Sequence, residues 1–304
     1  MSTDRSSEFS GVSIVGVTGT LFDVTDKQDT RFEISLSTAE SWENEGYPLV
    51  VVDSSPIGDK GDNAERVRAA YIQRGAIVLR ANLGGIATQR QQGVQHVLLN
   101  GGGNTLTHEP EKPGIAKFAS SVASILEAND VVIIGRTKES KISMPPLQRR
   151  TEELAGWIIE QTLSLPPDSL AGPRGYSKQG AKHLLEYPSA KKGMNNWIYM
   201  YTTALAAIKS GQGVVGMQAE LIYPEAMVAQ ETGNDAFDRK RYEQFVMQLK
   251  YLLQLPDVRP EALVVANIVL DQIEGLLYDP TNAEYEAMIG EIEVVLAKFG
   301  YKKP

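Results

Sequence analysis

Two glutamates stand out first, in the stretch Thr107-His108-Glu109-Pro110-Glu111-Lys112. In an extended segment, residues two apart point the same way, and Pro110 stiffens the link between them. Two carboxylates at a strand end can hold one hard cation, Mg²⁺ or Mn²⁺, which in turn neutralises a diphosphate. The same residues also suit a solvated turn ahead of a proline-started helix, where the helix dipole favours acids. Asp53, in Asp53-Ser54-Ser55, closes an apolar run. Its carboxylate suits a base or ribose contact, or an Asx-turn. Gly84 and Gly85 precede a helical pattern that carries Arg90 one turn in. Glycine lets a ligand approach the backbone, and a helix N-terminus attracts phosphate; a plain turn is the alternative. Asp168 and Arg174 flank the glycine- and proline-marked stretch 168–175. The carboxylate suits work on a substrate hydroxyl and the guanidinium suits an anion, or the two form a structural ion pair. His108 stands beside the acidic pair, whereas His183 lies among leucines and reads as packing. Trp197, Tyr199 and Tyr201 suit a sugar-stacking wall or, at helical spacing, core.

Other chemistries are excluded by what the chain lacks. It has no cysteine and three histidines, so disulfides, thiolate metal sites and thiol nucleophiles are ruled out. No nucleophile elbow, phosphate-binding P-loop or zinc-protease helix motif occurs. Thirty basic residues face thirty-eight acidic ones, a net charge of −8 that speaks against a general nucleic-acid surface. No run approaches the roughly 18–20 apolar residues of a membrane span, and the first residues lack the apolar core of a signal peptide. A cytoplasmic location is the expectation.

These side chains need elements to position them. Strands are predicted at 12–17, 49–52, 76–79, 104–108 and 131–134, all short apolar runs. Helices are predicted at 37–45, with Ser37 or Thr38 as N-cap, then at 63–74, 86–99 and 113–128. Gly101-Gly102-Gly103 reads as a helix stop. This alternation implies a parallel sheet with helices on both faces and ligands at the carboxyl ends of the strands. Residues 137–148 are polar, carry Lys138 and Lys141, and read as a mobile loop that closes over the donor site. A helix is expected at 151–163, a loop at 168–177, a helix at 195–210 and a strand at 214–222. Three amphipathic helices then follow at 237–253, 260–277 and 283–299. The apolar surface of the second, with Val264, Val265, Ile268, Val269 and Ile273, is expected to pack on the preceding domain or make a homodimer contact.

Taken in order, these segments resemble the GT-A class of nucleotide-sugar glycosyltransferases, from Val12 to about Leu253. Leu49–Asp53 is similar to that class's Val-Val-Asp-Ser strand end, and Leu83–Gly93 to its glycine-rich stretch with an arginine. Glu109-Pro110-Glu111-Lys112 stands where the class has Asp-x-Asp. Gly135-Arg136 resembles the Gly-x-Arg segment after the fifth strand, and Asp168–Tyr176 the later Asp…Gly-x-Arg loop. The resemblance implies an α/β fold of GT-A type: a mostly parallel, Rossmann-like sheet over residues 1–225, and a C-terminal helical extension over 226–304. It implies base or ribose contact by Asp53. Gly84, Gly85, Arg90 and Arg136 would lie at the donor's phosphates, and Glu109 and Glu111 would hold the metal–diphosphate group. Asp168 and Arg174 would lie near the acceptor and reaction centre; whether the reaction inverts or retains is left open by the sequence, and if it inverts, Asp168 is the candidate base. The implied reaction moves a sugar from a nucleotide-diphosphate donor to a small or lipid-linked acceptor. A sugar-phosphate nucleotidyltransferase is the rival enzyme, although Gly16–Asp23 lacks the basic residue such enzymes place after the first strand. A non-catalytic nucleotide-binding scaffold is the rival of a different kind.

Overall fold

The computed structural model describes residues 8–22, 29–56, 62–191, 197–253, 264, 266–269 and 282–302. The chain groups into two compact units. Residues 1–135 and 171–221 form one, and residues 136–170 and 222–304 form the other.

The first unit is built on a seven-stranded sheet in the order β3-β2-β1-β4-β6-β5-β7. Its strands are β1 (Val15–Thr20), β2 (Leu49–Asp53), β3 (Ile77–Arg80), β4 (Thr105–His108), β5 (Val131–Arg136), β6 (Arg174–Tyr176) and β7 (Val214–Ala219). β1 pairs in parallel with β2 and β4, and β2 with β3. β6 runs antiparallel to both β4 and β5. β2 is buried along its whole length, as expected of a central parallel strand covered on both faces. One face is covered by α1 (Thr30–Asn44), α2 (Asp62–Ile72) and α4 (Ala119–Leu126), with Trp42, Tyr71 and Val122 in its core. The other is covered by α3 (Ile86–Leu99), α7 (Ala181–Glu186) and α8 (Tyr199–Lys209), with Val94, Tyr176 and Tyr199 in its core. This is the expected α/β architecture.

Two glycines of β1 explain its close cover. A Cβ at Gly16 would stand 2.7 Å from the Trp42 ring, and one at Gly19 would stand 2.8 Å from the Gln89 amide oxygen. α1 begins a turn and more before the predicted Ser37 or Thr38. Asp29 is the N-cap and accepts from the Arg31 and Phe32 amides, satisfying donors that a helix start leaves open. The predicted helix at 113–128 is split into a 3₁₀ turn over Ile115–Phe118 and α4.

The second unit holds α5 (Lys138–Ile142), α6 (Pro146–Leu163), α9 (Glu225–Glu231), α10 (Asp235–Leu252) and α11 (Asn282–Ala297). α6 packs against α10 and α11, and Trp157 meets Tyr301 edge-on at 5.7 Å. The mobile loop expected at 137–148 is instead helical. Thr137 caps α5 by accepting from the Ser140 amide, Ser140 is buried, and Pro146 opens α6. Helix starts at Thr137 and Pro146 account for a segment whose scarcity of apolar residues suggested a loop. The expected helix at 260–277 lies outside the described residues except at 264 and 266–269, which are helical. Among the described residues, no helix is long and apolar enough to cross a membrane.

Candidate functional site

The carboxyl ends of β1, β2 and β4 meet in the first unit, at the point where strand order turns from β2 to β4 around β1. Gln89, the second polar side chain of α3, ties this edge together. Its amide donates to Thr20 O, Val52 O and Ser54 Oγ at 2.8–2.9 Å. Asp53 is buried there with both oxygens engaged. Oδ1 accepts from Thr20 Oγ1, the Ser55 amide and Ser55 Oγ, and Oδ2 pairs with Arg68 Nε at 3.2 Å. Asp53 is thus an Asx-type organiser of the strand ends. Gly85 carries φ +107°, which requires glycine ahead of α3, while a Cβ at the exposed Gly84 would meet open space.

The acidic pair is divided. Glu111 Oε1 pairs with Arg31 Nε at 3.0 Å. Glu109 lies against Gly172, where a Cβ would overlap its carboxylate. Its Oε2 is buried and accepts no hydrogen bond from the described residues. The two carboxylates therefore do not form the joint cation seat expected from their spacing, and the described residues contain no cluster of three metal-binding side chains. His108, on the opposite face, stacks on Trp42 at 5.4 Å and donates from Nδ1 to Glu109 O at 2.8 Å. Burial, seconded by the Arg90 charge, pushes its pKa down to about 3, so the ring is neutral at pH 7.

Arg90 reaches inward rather than to the surface. It is 1% exposed, and its Nη1 donates to Val17 O at 2.6 Å. Arg174, on β6, is fully buried and bonds to the Ala171 and Pro173 carbonyls. Both guanidinium groups lie close to Tyr199. Burial raises that phenol's pKa, Arg90 and Arg174 oppose the rise, and Glu109 adds to it. Arg90, Glu109, Arg174, Tyr176 and Tyr199 thus gather under the strand ends on the α3 and α8 face.

Asp168 and Arg136 meet in the second unit. Arg136 Nε and Nη2 grip the carboxylate at 2.9 and 2.8 Å, and the Arg136 amide adds a third bond at 2.7 Å. The same Nη2 meets Glu152 at 2.6 Å, and Lys141 approaches Asp168 at 3.8 Å. Burial alone would raise the Asp168 pKa, but Arg136 carries it below the ordinary value. A carboxylate held this way is a structural anion and a weak proton acceptor. Asp168 has φ +58°, and its amide is satisfied by Glu160 Oε1 at 2.8 Å.

The structure joins Arg136 with Asp168 and gathers Arg90, Glu109 and Arg174. It separates Glu109 from Glu111, and it places Arg174 in the first unit and Asp168 in the second. Sequence reasoning missed Gln89, Glu152 and Gly172, none of which carries a motif. It also took Arg174 for part of a loop, although a buried three-residue strand runs there.

No protein-family model matches the chain, and no curated protein matches it in sequence. Solved structures do. The chain is similar to a mannosyltransferase from Pyrobaculum calidifontis, solved in complex with GDP-Man and Mn²⁺. Identity is 12% and the TM-score 0.51, over 95% of this chain and 76% of that one. It is also similar to TarS 1-349 from S. aureus, at 14% identity and TM-score 0.41, over 94% and 72% of the two chains. A UDP-glucose pyrophosphorylase complexed with UDP-glucose matches at 9% identity and TM-score 0.42, over 76% and 98%. Identities this low speak for fold alone, and the last two likenesses are too loose to argue from.

Proposed function

We propose, starting from the GT-A fold of nucleotide-sugar transferases that this chain has, that it moves a sugar from a nucleoside-diphosphate donor to an acceptor hydroxyl. One observation carries the reading. The strand order reverses between β1 and β4, and the chain puts residues 18–20 and 108–112 at that point. In open α/β sheets the crevice above such a reversal is where ligands bind. The polar edge knit by Gln89, Thr20 and Ser54 supports a nucleotide there.

The leaving diphosphate gains negative charge during transfer, so catalysis needs positive charge or donors aimed at it. Class resemblance implies Mg²⁺ or Mn²⁺ for this task. Glu109 and Glu111, one turned inward and one paired with Arg31, do not fit as a two-carboxylate seat for that cation. The acceptor hydroxyl must lose a proton. Asp168 is ill suited to take it, because Arg136 holds it ionised.

The test is product analysis with the full chain. Incubation with nucleotide sugars and a panel of small and lipid-linked acceptors should release nucleoside diphosphate. Release of pyrophosphate from a nucleoside triphosphate and a sugar 1-phosphate would replace this reading with nucleotidyl transfer. Saturable binding of nucleotide sugars with neither product would make the chain a binding protein.

A further inference from the structure

Glu111 already has a partner in the fold. It lies three residues past His108, the last residue of β4. Arg31 lies in the first turn of α1, and in a parallel βα unit the helix starts beside the carboxyl ends of the strands. The two side chains meet there, Arg31 Nε donating to Glu111 Oε1 at 3.0 Å. Their exposures of 30% and 12% make this a partly buried pair, less screened than one in open solvent. Both segments are held by other bonds as well. Asp29 caps the first turn of α1 through the Arg31 and Phe32 amides. Thr18 Oγ1 donates to His108 O at 3.0 Å, His108 Nδ1 donates to Glu109 O at 2.8 Å, and Pro110 stiffens the chain between the two glutamates. Residues 108–111 are thus tied to β1 at one end and to α1 at the other, at the reversal of strand order.

A cation held by both glutamates would need a different arrangement. Mg²⁺ takes oxygen ligands at about 2.0–2.1 Å in a nearly octahedral shell. The Arg31 guanidinium stands 3.0 Å from Glu111 Oε1, so a divalent ion on that carboxylate would meet a like charge. Glu109 is turned to Gly172, with Oε2 buried and accepting no hydrogen bond from the described residues. We propose that Glu111 is a positioning residue and not a metal ligand: with Arg31 it clasps the start of α1 to the end of β4, and the crevice so fixed binds a nucleoside diphosphate without a divalent cation. The ion pair does for residues 108–111 what a bridging ion would do, holding two chain segments at a set separation. The ligand is that of the sugar-transfer reading, on which this inference rests; the clasp itself rests on the Arg31–Glu111 geometry.

The test is calorimetric titration of the full chain with UDP, GDP, CDP, ADP and dTDP, each in excess EDTA and again in Mn²⁺. At least one should bind saturably, and its Kd should differ by less than about twofold between the two conditions, because a cation without a seat has no coupling to report. Arg31→Met and Glu111→Gln should each weaken that nucleotide by about fivefold in EDTA. The exchange variant, Arg31→Glu with Glu111→Arg, restores the pair and leaves no carboxylate at 111; it should recover most of the loss. Glu40→Gln breaks a more exposed pair of the same helix and should leave Kd unchanged. A larger gain in Mn²⁺ would overturn the proposal and spare the sugar-transfer reading; loss of that gain in Glu111→Gln would mark the pair as the cation's seat. Full affinity in both single variants, or no recovery in the exchange variant, would overturn the clasp. Failure of all five nucleotides to bind would overturn the sugar-transfer reading and this inference with it. The comparison of EDTA with Mn²⁺ needs only the wild type, so it decides the matter even if a variant does not fold.

Discussion

Arg136 and Arg90 are both buried arginines, and the molecule treats them in opposite ways. Arg136 meets two carboxylates, Asp168 and Glu152, within 3 Å, and a further donor of its guanidinium rests on Met144 Sδ. Arg90 meets the Val17 carbonyl and the Tyr199 hydroxyl, with no described carboxylate paired to it and Nε without a described acceptor. Burial opposes the charge on Arg136, and its two anions more than offset it. A closed network of this kind behaves as structure, because every charge has its counter-charge inside the fold. Polarity and burial alone do not mark a site; the difference lies in whether the groups satisfy one another.

The sharpest way to break this comparison is to remove each arginine in turn. Arg136→Met leaves the buried Asp168 and the partly buried Glu152 without their guanidinium, and should cost about 3–5 kcal/mol in urea unfolding. A loss below about 1 kcal/mol would mean the network is not closed as described. Acidification comes next. His108 has a folded pKa of about 3 against an unfolded 6.5, so the unfolded chain binds the extra proton. Stability should therefore fall below pH 6.5 by up to about 1.4 kcal/mol per pH unit, and His108→Phe should flatten that slope. Asp168 has the same sign in a lower pH window. Its folded pKa lies below 3.8, so its contribution is present above pH 3.8 and is lost as pH falls through the lower, folded value. Amide exchange at pH 7, 5 and 4 should show α1 and β4 losing protection before α6 does. Equal losses would refute separate windows.

Arg90→Met should change stability by about 1 kcal/mol at most, because no described carboxylate loses its partner. A cost like that of Arg136→Met would show that the cluster is closed after all. The smallest effect belongs to the half-exposed surface pair Arg74–Glu40, at 2.7 Å. Arg74→Ala should cost less than about 1 kcal/mol, and added salt should diminish even that.

Much of the sheet was legible without coordinates. The runs at 49–52 and 131–134 fall within β2 and β5, and the helix predicted at 86–99 matches α3 residue for residue. Their signals are local: uninterrupted Val and Ile for central strands, a Gly–Gly entry and a triple-glycine exit for the helix. β6 was not legible. Arg174-Gly175-Tyr176 is too short for periodicity, follows a proline, and becomes a strand because β4 and β5 offer it edges on both sides. At the site, the residue types were legible and their partners were not. Glu109 and Glu111 share a spacing that predicts a joint role, but Arg31, some eighty residues away in sequence, claims one of them.

By itself the sequence determined the layering, since alternating apolar strands and amphipathic helices have few ways to bury their surfaces. It also determined the glycines that let Trp42 and Gln89 approach β1, and the class of chemistry open to a chain without cysteine. Tertiary structure alone decided which charges are matched. Asp168 and Arg174 are six residues apart, yet the first is taken by Arg136 and the second turns beneath β4 toward Tyr199. Charge pairing acts over a few ångströms and between any two segments the fold brings together, so no local spacing encodes it.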